Sequence, residues 1–159
     1  MNGAEWKPAA ALPVYPPGQA AARPGLDDLH DRRDVDFLVR TFYAHAFQDP
    51  LLGPIFLDIA RVDLEAHLPV MCDFWETVLF RAGLYRRNVL GVHLELHAKA
   101  ELTPQHFARW LHLWMQTVDD HFAGRKADFA KIQAARIASS MSRRLLSESS
   151  SKHISAFRS

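Results

Sequence analysis

Apolar residues recur at steps of three and four through four stretches of this chain, and almost nothing in it alternates with the period of a strand. Val35, Leu38, Val39, Phe42, Tyr43, Ala46 and Phe47 predict a first helix with Tyr43 on its buried stripe. Asp49 and Pro50, then Gly53 and Pro54, end it in a tight corner. Leu64, His67, Leu68, Met71, Phe74, Trp75, Val78 and Leu79 mark a second helix. Because proline costs about 3 kcal/mol in a helix interior, Pro69 predicts a regular start near Leu68, with His67 at the entry and Gly83 closing the far end. A short helical segment is expected over 88–96. Thr103 as cap and Pro104 at the first position open the next helix, with Phe107, Trp110, Leu111, Trp114, Met115, Val118 and Phe122 on one wide face and Gly124 ending it. The last helix is expected over 126–146, with Phe129, Ile132, Ile137, Met141 and Leu145 inward and Arg136, Arg143 and Arg144 outward. The sum is one all-α domain over 27–147.

The ends read differently. Pro8, Pro13, Pro16, Pro17 and Pro24 crowd residues 1–26, which predicts an extended, flexible arm, and residues 148–159 are serine-rich and read as a loose tail. Across 159 residues, 19 basic and 18 acidic side chains give a net charge of +1 without clustering, so the basic footprint that nucleic acid or anionic lipid requires is missing. Cys72 stands alone and cannot form an internal disulfide. No apolar run approaches the roughly 18 residues of a membrane span, and the N-terminus lacks the basic and apolar blocks of a secretory signal. The expectation is a soluble protein of a reducing cytoplasm.

The chemistry begins at His93, set among aliphatic residues in NVLGVHLELH. An imidazole placed so is more often a structural group than a ligand, but a metal-holding one needs an apolar slot and a carbonyl to fix its other nitrogen, and a leucine-rich turn offers both. His97 lies four residues on, a spacing that also suits zinc; yet no glutamate follows His93 and no cysteine is near to complete a zinc site. His67 falls on an apolar face, where an unpartnered imidazole costs about 1–3 kcal/mol, so it should meet something polar. Tyr43 and Trp110 fit as plain core, but buried phenol and indole groups seek acceptors, and a diatomic ligand that takes on partial negative charge is one. Phe56, in GPIF after the corner, suits the face of a flat macrocycle. Together these residues suggest a haem pocket, with one imidazole to hold the iron and polar hydrogens on the open side.

Several stretches, FLVRTFYAHAFQDPLLGPIF, HLPVMCDFWETVLF, YRRNVLGVH, LTPQHFARWLHLW and IQAARIASSMSRRLL, resemble in combination the truncated haemoglobins of group III, over about residues 34–147. The absence of the paired glycines that mark the family's other groups agrees. The resemblance implies a shortened globin fold of helices packed two over two around a b-type haem (iron protoporphyrin IX). It implies His93 as proximal iron ligand, Tyr43, His67 and Trp110 as distal residues, and Phe56 and Met71 against the haem. Arg81, Arg86 and Arg87 are candidate propionate partners by charge and neighbourhood.

The function expected is dioxygen or other diatomic binding, with nitric oxide or peroxide chemistry and an unidentified reductase within the family's range. Two alternatives stand beside it. His67 as a sixth ligand would make an electron-transfer or redox-sensing protein, and a helical bundle holding zinc through His93 and His97 would discard haem.

Overall fold

The structure is a computed structural model and describes residues 25–81, 83 and 101–156. His93, His97, Arg86, Arg87, the segment expected over 88–96 and nearly all of the proline-rich arm lie outside the described residues. Among the described residues every regular element is helical: α1 (Arg32–Gln48), a π-helical turn (Ile55–Ile59), α2 (Leu64–Phe80), α3 (Pro104–His121) and α4 (Arg125–Ala156). The α1/α2 pair lies across the α3/α4 pair, with α1 meeting α3 and α2 meeting α4, and the core fills the space between. No described helix is long and apolar enough to cross a membrane.

Helix α1 starts where Asp31 accepts from the amides of Arg33 and Asp34, and it buries Val35, Leu38, Val39, Phe42, Tyr43 and Ala46 as the pattern predicts. Its end turns a corner in which Gly53 N donates to Asp49 O at 2.8 Å. A Cβ at Gly53 would sit 2.6 Å from the Phe47 carbonyl oxygen, so only glycine lets the corner close this tightly.

Three expectations are corrected. Helix α2 begins at Leu64 rather than near Leu68, and Pro69 lies inside it. Asp63 explains the difference: its side chain accepts from Glu65 N and Ala66 N and its carbonyl from His67 N, so the first turn is secured before Pro69 removes one bond to the Glu65 carbonyl. At the other end the left-handed cap is Arg81 (φ 55°), not Gly83, since Arg81 N still donates to Thr77 O.

Helix α4 shows the third. Its buried residues are Ala127, Ala130, Ala134, Ala138 and Leu145, whereas Phe129 and Ile132 are 37% and 49% exposed. The inward face is small because α2 and α3 present indoles: Trp114 is 1% exposed and its Nε1–H donates to Ala130 O at 3.4 Å. Alanines let the helices approach within that reach. The helix also continues to Ala156, past Leu146 where the pattern ended it.

Its start is held from far away in sequence. Asp28 Oδ2 accepts from Lys126 N at 2.9 Å and Oδ1 from Ala127 N at 2.8 Å, while Ala123 N donates to Asp27 O at 3.0 Å. Gly124, at φ 143°, permits the approach, for a Cβ there would lie 2.5 Å from Asp28 Cγ.

Candidate functional site

A cavity of about 300 Å³ opens between α1, α2, the π turn, α3 and α4. Its wall is mostly aromatic and aliphatic, with Phe42, Phe56, Val70, Met71, Phe74, Phe107, Ile137 and Met141 among the lining side chains. Polar groups enter at Tyr43, His67, His106 and the indoles of Trp75, Trp110 and Trp114. Apolar walls with a few convergent polar atoms are the usual make-up of a small-molecule site.

Two of the polar groups are coupled. The Tyr43 hydroxyl and His67 Nε2 stand 3.0 Å apart, brought together from α1 and the first turn of α2, and the rings meet edge to face. The α1 stripe buries Tyr43 (5% exposed), and burial, helped by the nearby Cys72 thiol, pushes its phenol well above the ordinary range, so it keeps its proton. Tyr43 also packs edge-on against Phe42 and Phe56. The π turn presents Phe56, and Ala60 N closes that turn on Ile55 O at 2.7 Å.

Three indoles line one side. Trp75 and Trp114 stack with centroids 4.2 Å apart at 15°, and Trp114 lies parallel to Trp110 at 6.1 Å and 7°. At the start of α3, His106 fills the place a glutamate usually takes in a capping box: its Nδ1 accepts from Thr103 N at 2.9 Å. Desolvation pushes the His106 pKa down.

Of the site residues expected from sequence, Tyr43, Phe56, His67, Met71 and Trp110 all line this one cavity. Arg81 does not; it borders a separate groove with Arg125 and Lys126 at the start of α4. His93, Arg86 and Arg87 fall outside the described residues. His106, Trp75 and Trp114 join them on the cavity wall beyond the sequence expectation, and their signals in the sequence are the odd histidine in LTPQHF and the spacing of Trp110 and Trp114. Among the described residues no three histidine, cysteine, aspartate or glutamate side chains gather as a metal site would require.

No family model and no curated protein matches this chain. In three dimensions it is similar to the crystal structure of group III truncated hemoglobin from Campylobacter jejuni, with a TM-score of 0.68 at 22% identity, over 76% of this chain and 94% of that one. The fold is globin-like. The all-α, two-over-two expectation therefore holds, and within this globin-like fold the cavity lies between the two helix layers, walled by all four helices.

Proposed function

We propose that this globin-like chain is a haem protein of the group III truncated type, holding a b-type haem in the cavity and binding dioxygen or another diatomic molecule there. The observation that carries the reading is the Tyr43–His67 pair at the wall of an otherwise aromatic cavity in a globin-like fold. The residues present fit such a group: Phe56, Met71, Phe74, Phe107 and Ile137 offer flat and aliphatic surface to a macrocycle, and the polar atoms are few. A b-type haem supplies, when bound, an iron centre that takes a diatomic ligand on its open side.

In this reading His93 is the proximal imidazole, Phe56 and Met71 pack against the ring, and Arg86 and Arg87 remain candidates for its propionates. Tyr43, kept protonated by burial, donates a hydrogen bond to a polar diatomic molecule in the cavity, and His67 orients that hydroxyl. The Trp110 indole N–H is a second donor. Aliphatic and aromatic walls keep water out, which strengthens each of these bonds. His67 as a sixth ligand is less favoured, because its Nε2 is engaged by Tyr43 at 3.0 Å and would have to give that contact up. A cytoplasmic setting, a separate reductase, and nitric oxide or peroxide conversion complete the proposal.

One absorption spectrum tests it. Protein purified from haem-replete cells is expected to show a Soret band, and His93→Ala to lose it. A colourless protein, or a band indifferent to that replacement, overturns the reading.

A further inference from the structure

We infer that Trp110, Trp114 and Trp75 form a column that gives up single electrons to an oxidant seated in the cavity, the vacancy coming to rest on the stacked Trp114–Trp75 pair. The inference deepens the haem reading and rests on it for the natural oxidant. All three indoles line the cavity, but Trp110 is half-buried where Trp75 and Trp114 are buried, so it is the most open of them to that oxidant. Its ring is parallel to Trp114 within 7°, and Trp114 in turn faces Trp75 at 4.2 Å and 15°. Two π-faces in that register share one positive charge, which stabilises it on the pair over either ring alone. Phe42 stands edge-on to both Trp110 and Trp114, at 6.0 and 5.3 Å, and fixes the offset between them.

The protons favour the column too. Trp114 is 1% exposed and its indole N–H is held by a backbone carbonyl, which is far too weak a base to take a proton. An oxidised Trp114 therefore stays a radical cation and returns to indole when the electron is restored. Tyr43 is the competing donor, but a phenol loses its proton on oxidation, so its electron leaves only together with a proton that a neighbour must accept. Electron loss from the column needs no such transfer.

With a hydroperoxide as oxidant the balance is simple. The O–O bond breaks on taking up two electrons and two protons, and leaves an alcohol (or water) and water. The protons come from solvent; a haem, if bound, would supply the redox chemistry for one of the two electrons, and the column would supply the other and be left with one indole radical cation.

The test needs no haem in its first arm. Azidyl radicals from pulse radiolysis take one electron from indole and become azide, and in a Trp6→Phe background only the three column tryptophans remain of the chain's four. The expected result is an indole radical absorption that develops a near-infrared band, the mark of one charge shared by two stacked rings. Trp75→Phe and Trp114→Phe, each checked for intact helical circular dichroism, should both abolish that band and shorten the radical's life several-fold. A band unchanged in Trp75→Phe, or a charge that reaches tyrosine as fast in the parent as in Trp114→Phe, overturns the inference. In the second arm, haem-loaded protein is frozen soon after mixing with hydrogen peroxide and read by electron paramagnetic resonance. An indole signal lost in Trp114→Phe supports the column; a tyrosyl signal alone, the same in both proteins, sinks it. Absence of a Soret band would remove the haem reading, and the azidyl arm would still decide for or against the column.

Discussion

Asp49 Oδ2 lies 2.6 Å from Arg109 Nε, tying the corner after α1 to α3, and only 2% of the aspartate side chain is exposed. Its other oxygen accepts from the amides of Leu51 and Leu52, both at 3.0 Å. This one carboxylate therefore sets how the corner, and the π turn after it, sit against α3.

Burial alone would raise the Asp49 pKa, but the Leu52 amide, the Arg109 guanidinium and the Leu51 amide outweigh it and hold the carboxyl below its ordinary value. A carboxyl lowered on folding stabilises the protein fully above the unfolded pKa, about 3.9, and loses that contribution as the pH falls through the folded value. Asp49→Asn is expected to cost about 2 kcal/mol at pH 7, less than a fully buried pair would because Arg109 is 32% exposed. The gap between wild type and variant should narrow below about pH 4. Denaturant melts at pH 7 and at pH 3 check both halves; a gap of the same size at both pH values contradicts the assignment.

Tyr43→Phe removes the hydroxyl that the proposed function places next to the ligand and keeps the ring that packs on Phe42 and Phe56. At about 1 kcal/mol for a lost hydrogen bond, dioxygen release should quicken about fivefold. Carbon monoxide release should change much less, since that molecule carries less charge when bound. Rapid-mixing release rates for the two gases decide the matter, and equal changes in both would point to altered access instead of a lost donor.

The inward face of α4 makes a paired prediction. Ala130→Leu forces a branched side chain against Trp114 and is expected to cost about 1–3 kcal/mol, whereas Ile132→Ala, at a position 49% exposed, should stay within about 0.5 kcal/mol. Thermal melts of the two variants give the answer. The reverse ranking would mean that the helix is rotated from the orientation described.

How much was legible in the sequence depends on what each residue reports. Helix α1 is readable because nearly all its buried positions are large and recur at helical spacing, even though Phe37 is 48% exposed, and Thr103 with Pro104 marks the start of α3 by cap chemistry alone. In helix α4 the pattern points inward at Phe129 and Ile132 where the structure does not: alanine gives little hydrophobic signal, and the volume it leaves is taken by indoles that belong to other helices. The cap at Asp63 is masked in the sequence by Pro69, whose cost in a helix interior outweighs the signal of one acidic residue. The π turn leaves no compositional trace, being one extra residue in a turn. For the site, the sequence placed Tyr43 and His67 on inward faces but had no means of showing that residues on different helices meet at 3.0 Å. The Trp75–Trp114 stack was hidden for the same reason, as each indole by itself reads as core.

The clasp of Asp28 on the start of α4 has a kinetic consequence. The oxygens that satisfy the Lys126 and Ala127 amides are made about a hundred residues before those amides. Leu29, next to the clasp, is 1% exposed in the finished molecule. Closing this contact joins residues that lie 98 and 99 positions apart in sequence, so a fragment stopping before residue 126 is expected to lack the seal.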